Sequence, residues 1–159
     1  MNKRLKVGWF TFSCCEDSTI IFTEILNDHY KEWKNLIEFR ACLPLQKREE
    51  ISDIDVAFVE GAIASKDQEE KLKKIRANAI KLIAVGACAV VGLPSGQRNN
   101  FDPKTREEIN PILLRFNYGE KVKKLSEVVT VDDVVPGCPM DENTFLNIIN
   151  KYLKEFKIL

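Results

Sequence analysis

The stretch Trp9-Phe10-Thr11-Phe12-Ser13-Cys14-Cys15-Glu16-Asp17-Ser18 runs from the end of an apolar segment into the start of an amphipathic one. Upstream, Leu5 to Phe12 is short, apolar and rich in aromatic and β-branched residues, the pattern of a strand buried on both faces. Downstream, Ser18 to Trp33 repeats Phe22, Ile25, Leu26, Tyr30 and Trp33 at three- and four-residue steps, which predicts a helix with one apolar face. Asp17 or Ser18 is the expected N-cap. A strand feeding directly into a helix opens a βα unit, and the vicinal pair Cys14-Cys15 sits at its turn.

The same alternation continues outward. Leu36 to Ala41 reads as a second strand, ended by Leu43-Pro44, and the charged run Gln46 to Asp53 as a solvated helix or loop. Ile54 to Val59 is a third strand, closed by Glu60-Gly61. Ser65 to Ala79 is a helix carrying Leu72, Ile75 and Ala79, with i,i+4 pairs Glu69–Lys73 and Glu70–Lys74. Ile80 to Val85 is the next strand and leads straight into Gly86-Ala87-Cys88. Gly92 to Tyr118 is irregular, with turns over Leu93–Gly96 and Gln97–Asn100 and a helix over Thr105 to Phe116 that Pro111 interrupts or restarts. Val128 to Val135 holds strand-like pieces before Pro136-Gly137-Cys138-Pro139 breaks the chain. The final helix, Asp141 to Lys157, places Phe145, Ile148, Ile149, Tyr152, Leu153 and Phe156 on one face. This order predicts an α/β layered domain with a largely parallel sheet. No repeat or linker divides residues 1–159, which read as a single domain.

Composition narrows the function. Lys plus Arg equals Asp plus Glu at 24 each, so there is no global field to draw nucleic acid or an anionic membrane. Met1 to Lys6 is basic and then apolar, but the apolar run ends at Phe12 in cysteines and acids, with no small-residue cleavage site. No stretch approaches the ~18 apolar residues of a membrane span. The expectation is a cytoplasmic protein without a direct membrane span. Five cysteines in such a chain point to metal binding or thiol chemistry rather than a disulfide framework.

Cys14-Cys15, Cys88 and Cys138 each follow a strand. In an open parallel sheet the carboxyl ends of the strands share one edge, so residues far apart in sequence meet there. Four converging thiolates suit zinc or an iron–sulfur cluster. Structural zinc takes cysteines in pairs two to four residues apart, whereas a cubane offers separate iron corners to Cys14 and Cys15. Gly86, Ala87, Gly137 and Pro139 leave room for a bulky cofactor. The residues alone leave scattered thiols as the other reading. Cys42, inside an apolar strand, reads as a small buried hydrophobe. Glu16 and Asp17 read as helix N-terminal and capping acids, with tuning of a cofactor's potential or lining of a proton path at a subunit interface as the alternatives. His29 and the loop residue Arg98 read as surface groups.

Gly86-Ala87-Cys88-Ala89-Val90 with Gly92-Leu93-Pro94-Ser95 downstream, and Val135-Pro136-Gly137-Cys138-Pro139, resemble motifs of the [NiFe]-hydrogenase small subunits. The same family includes the complex I subunit that carries the terminal iron–sulfur cluster. The resemblance implies a flavodoxin-like, three-layer fold with one [4Fe–4S] cluster held by Cys14, Cys15, Cys88 and Cys138. It implies an electron-relay role beside a large catalytic [NiFe]-type subunit, with further electron-transfer subunits as partners. Hydrogenase small subunits usually carry C-x-x-C at the first motif, and the tandem Cys14-Cys15 is similar to the complex I subunit instead. A complex I-like quinone-reductase subunit, or a stand-alone vicinal-thiol redox protein, are the alternatives.

Overall fold

The computed structural model describes residues 3–45 and 50–159. The first apolar segment forms strand β1 (Leu5–Thr11), followed by helix α1 (Asp17–Leu36) and strands β2 (Ile37–Cys42) and β3 (Ile54–Glu60). Helix α2 (Lys66–Asn78) leads to β4 (Ala79–Val85), which runs without a loop into the short helix α3 (Gly86–Val91). Helix α4 (Pro103–Arg115), strand β5 (Asp133–Val135) and helix α5 (Glu142–Glu155) complete the chain.

The five strands form one parallel sheet in the order β2-β1-β3-β4-β5. This is the flavodoxin-like order, with the crossover direction reversing between β1 and β3. Side-chain alternation splits the core into two layers. Leu5, Val7 and Trp9 of β1, with Val56, Phe58, Ile83 and Val85, pack against α1 and α5. Phe10, Ala57, Val59, Leu82 and Ala84 face the other way, toward Leu72 and Ile75 of α2. Trp9 is the hub of the first layer. It stacks on Phe22 at 4.3 Å between ring centroids and meets Phe145 edge-on at 6.0 Å. Such aromatic pairs add about 0.5–1.5 kcal/mol beyond the area they bury.

Several sequence expectations need correction. Helix α1 starts at Asp17, so neither Asp17 nor Ser18 is its cap. The capping position is Glu16, in a left-handed conformation (φ 65°) and making no side-chain cap bond. The orphan amide of Ser18 is met instead by the Glu60 carboxylate, reaching across from the end of β3 at 3.0 Å. Helix α4 begins earlier than the periodicity suggests, because Asp102 caps it and Pro103 opens it, and it runs through Pro111 without a break. Of the strand-like run after Val128, only Asp133–Val135 pairs in the sheet. Val128, Val129 and Val131 are apolar because they pack on the α2 layer. Residues 46–49 of the charged run lie outside the described residues, as do Met1 and Asn2. The pair Glu69–Lys73 forms at 2.7 Å as expected, and His29 stacks on Trp33 at 5.2 Å.

Candidate metal centre

The four cysteines singled out from the sequence line one cleft, at the carboxyl edge of the sheet. Cys14 and Cys15 come from the turn between β1 and α1, Cys88 from the first turn of α3, and Cys138 from the turn before α5. Asp17, Ser18, Glu60, Gly86 and Gly137 complete the wall. Cys88 is buried and Cys14 half-buried, whereas Cys15 and Cys138 are exposed. The cleft therefore has an inner and an outer thiol pair. Among the described residues, no group of three or more His, Cys, Asp or Glu stands close enough together to hold a single metal ion.

The loops that carry these thiols are bonded to one another. Ser13 and Ala62 exchange two backbone hydrogen bonds at 3.0 Å, tying the Cys14 turn to the loop after β3. The Ala87 amide donates to the Gly137 carbonyl at 2.7 Å, joining the Cys88 and Cys138 loops. The Met140 amide donates to the Ser18 hydroxyl at 3.2 Å and brings the Cys138 loop back to α1. Ser95 closes the circuit. Its Oγ lies 2.8 Å from the Ser13 carbonyl and 3.1 Å from Cys88 Sγ.

Two glycines make this closeness feasible. Gly137 sits at φ +112°, and a Cβ there would lie 2.5 Å from the Pro139 carbonyl oxygen. Gly86 sits at φ +79°, and its Cβ would approach Ser18 Oγ to 2.9 Å. The Cys138–Pro139 peptide bond is cis.

Burial pushes the Cys14 thiol up to about 12, and the Glu60 carboxylate adds to the rise. Without a compensating cation this thiol is protonated at neutral pH, so a metal entering the cleft must displace its proton. Cys15 is also raised. The backbone amide of Asp17 pulls it down, but burial and the Asp17 carboxylate outweigh that pull.

Glu60 was not singled out from the sequence. It is 3% exposed, with its carboxylate accepting from the Ser18 amide at 3.0 Å and the Thr19 hydroxyl at 2.6 Å. Thr19 in turn accepts from the Trp9 indole N–H at 2.8 Å, so the aromatic hub and the cleft floor share one hydrogen-bond chain. The only sequence signal is an acid directly after the apolar run Val56–Val59 of β3. Ser95 ends the Gly92–Ser95 motif, which by itself assigns it no role. Arg98 is a structural clamp: its guanidinium donates to the carbonyls of Ala64 and Gly119 at 3.3 and 2.9 Å and lies over the Tyr118 ring. Cys42 is fully buried in the layer beneath α1 and α5, away from the cleft, and burial pushes its thiol up to about 11.

A parallel α/β sheet in the order β2-β1-β3-β4-β5, with four thiols at the crevice over its carboxyl edge, defines the flavodoxin-like fold class. The chain belongs to the family described as NADH ubiquinone oxidoreductase, 20 Kd subunit, whose model matches residues 14–152. It is 32% identical over 171 residues to a subunit of the F420-non-reducing hydrogenase of Methanothermobacter marburgensis, covering 97% of this chain and 55% of that protein. It is 31% identical over 113 residues to the delta subunit of the NAD-reducing hydrogenase HoxS of Cupriavidus necator, covering 60% of this chain and 53% of the relative. The chain thus spans about half the length of the curated relatives it matches. Among solved structures, it superposes on a chain of an NAD+-reducing [NiFe]-hydrogenase in the H2-reduced state with a TM-score of 0.81. That match has 22% identity and covers 96% of this chain and 93% of the other, and it supports the fold. Among the described residues no helix is long and apolar enough to cross a membrane.

Proposed function

We propose that this chain is the electron-relay subunit of a cytoplasmic, [NiFe]-hydrogenase-like oxidoreductase. In this reading it is a single domain that holds one [4Fe–4S] cluster through Cys14, Cys15, Cys88 and Cys138. The observation that carries the reading is the gathering of four thiols, from three loops distant in sequence, around one cleft. The donor set is soft, as iron–sulfur clusters and zinc require. A single tetrahedral zinc would need its sulfurs about 3.8 Å apart, from bonds of ~2.3 Å. Adjacent Cys14 and Cys15 fit separate iron corners of a cubane better than two vertices of one such tetrahedron.

When bound, the cluster supplies one-electron transfer. The chain's own residues fix the rest. The inner thiols anchor the cofactor within the protein, and the outer thiols leave it close to the surface. Gly86 and Gly137 let the second and third loops close up, and Glu60 holds the α1 terminus that frames the cleft. A large catalytic [NiFe]-type subunit would cover the exposed side, and further electron-transfer subunits would carry electrons onward. The names of both relatives described above, each a hydrogenase subunit, support this choice of partner.

Anaerobic reconstitution of the full chain with iron and sulfide tests the proposal. A brown protein with about four iron and four sulfide per chain is the expected result. A colourless, iron-free protein overturns it. The family description and the vicinal Cys14-Cys15 favour a second reading, a quinone-reductase subunit of complex I type. Two C-x-x-C motifs in the co-purifying large subunit would indicate nickel–iron chemistry, and their absence would favour the second reading. A stand-alone vicinal-thiol enzyme is poorly served, because a Cys14 thiol held at about 12 supplies little thiolate for exchange.

A further inference from the structure

We propose that Ser95 is a positioning residue of this site, whose hydroxyl donates to the Cys88 sulfur and thereby raises the reduction potential of the cluster held there. The inference rests on the cluster reading given above. Ser95 is neither a strand-end residue nor a neighbour of any ligand in sequence. It comes from the turn after α3 and is folded back over the cleft. That turn is closely specified: the Gly92 amide donates to the Cys88 carbonyl at 3.1 Å, and the Gly96 amide donates to the Gly92 carbonyl at 2.7 Å. A Cβ at Gly96 would stand 2.4 Å from the Gly92 oxygen, so the residue after Ser95 must be small for the turn to close.

The hydroxyl so placed has one proton and two acceptors, the Ser13 carbonyl at 2.8 Å and Cys88 Sγ at 3.1 Å. An uncharged sulfur is a weaker acceptor of that proton than a carbonyl oxygen. A metal-bound thiolate carries negative charge and competes for it, because hydrogen bonds to charged acceptors are the stronger ones. Reduction adds an electron that is shared with the ligand sulfurs, so a donor at Cys88 stabilises the reduced form more than the oxidised one. The neighbouring carbonyl belongs to Ser13, which directly precedes Cys14. One side chain therefore spans the first and second ligand loops and senses the charge on the sulfur between them.

The test is a potentiometric titration, followed by electron paramagnetic resonance, of the full chain reconstituted anaerobically as wild type, Ser95→Ala and Ser95→Thr. Iron and sulfide are counted in each sample. The expected result is equal iron in all three, a lower midpoint potential in Ser95→Ala, and a wild-type potential in Ser95→Thr, which keeps the hydroxyl. Equal iron with an unmoved potential in Ser95→Ala overturns the inference and leaves the cluster reading intact. An iron-free wild type overturns the cluster reading and this inference with it. If Ser95→Ala loses iron, Ser95→Thr decides: recovery of both iron and potential supports the hydroxyl's role, and failure to recover them overturns it.

Discussion

Cys42 and Cys88 are both buried thiols at the carboxyl ends of parallel strands in one sheet, and their surroundings have almost nothing in common. Cys42 ends β2, the edge strand, and is 0% exposed among aliphatic and aromatic side chains. Cys88 lies just past β4, 6% exposed, in a small cluster with Ala62, Ala64 and Val122 against which Cys14 packs. One thiol has a saturated apolar shell. The other has small neighbours, two glycine-bearing loops and a hydroxyl within reach. The difference teaches that depth and strand-end position do not bring a thiol to the cleft; strand order does, by deciding which ends stand next to the crevice.

The sharpest way to break this comparison is to remove each thiol in turn. Cys88→Ala, Cys138→Ala or Cys15→Ala is expected to abolish or greatly reduce iron uptake in anaerobic reconstitution, whereas Cys42→Ala keeps it. Equal iron loss at Cys42 would show that the wrong four thiols were assigned. Next in size is Trp9→Ala, in the same layer as Cys42. Deleting a buried tryptophan is expected to cost about 3–5 kcal/mol in urea unfolding of the iron-free chain. A loss below about 1 kcal/mol would mean that the aromatic hub carries little of the fold.

Two changes at the cleft should cost less. Glu60→Ala removes the acceptor of the Ser18 amide and Thr19 hydroxyl, and a loss of about 1–3 kcal/mol is expected by the same measurement. Gly137→Ala places a Cβ against the Pro139 carbonyl at positive φ, with an expected loss of about 1–3 kcal/mol and weaker iron retention. An unchanged unfolding midpoint in either variant contradicts the role assigned to it.

The smallest effect lies on the flank, where Glu69 of α2 binds Lys123 and Lys73 at 2.8 and 2.7 Å. Those two bonds hold its carboxyl at about 2, below the ordinary 4.5. A depressed acid stabilises the fold above its unfolded value, and the contribution disappears as pH falls from about 4.5 toward about 2. The wild-type advantage over Glu69→Gln should be slight at neutral pH, shrink over that acid window and weaken in salt. An advantage that grows on acidification would reverse the sign argued here.

Much of the sheet is legible in the sequence because apolar periodicity reports burial directly. Leu5 to Phe12 and Ile54 to Val59 read as strands, and Leu5–Thr11 and Ile54–Glu60 form them. Periodicity fails where apolar residues serve a different purpose. Val128, Val129 and Val131 pack on a layer without joining the sheet, and spacing alone does not separate those roles. It also places the start of α4 too late, because Asp102-Pro103 is a cap-and-start signal that apolar spacing does not register. At the site, the thiols are legible through their residue type and their places after strands. Glu60 and Ser95 are not, because each acts on a partner that the fold supplies: Ser18 is 42 residues away from Glu60, and Ser13 is 82 from Ser95. A lone acid or serine carries no mark of such a partner in sequence.

The unequal depth of the four thiols gives the cleft a direction of wear. An oxidant or chelator arriving from solvent meets Cys15 and Cys138 first, while Cys14 and Cys88 lie behind them. On the proposed cluster reading, erosion of the centre would begin at the outer corners and leave a fragment gripped at the back. A partner covering the mouth of the cleft would shield it as well as take its electrons.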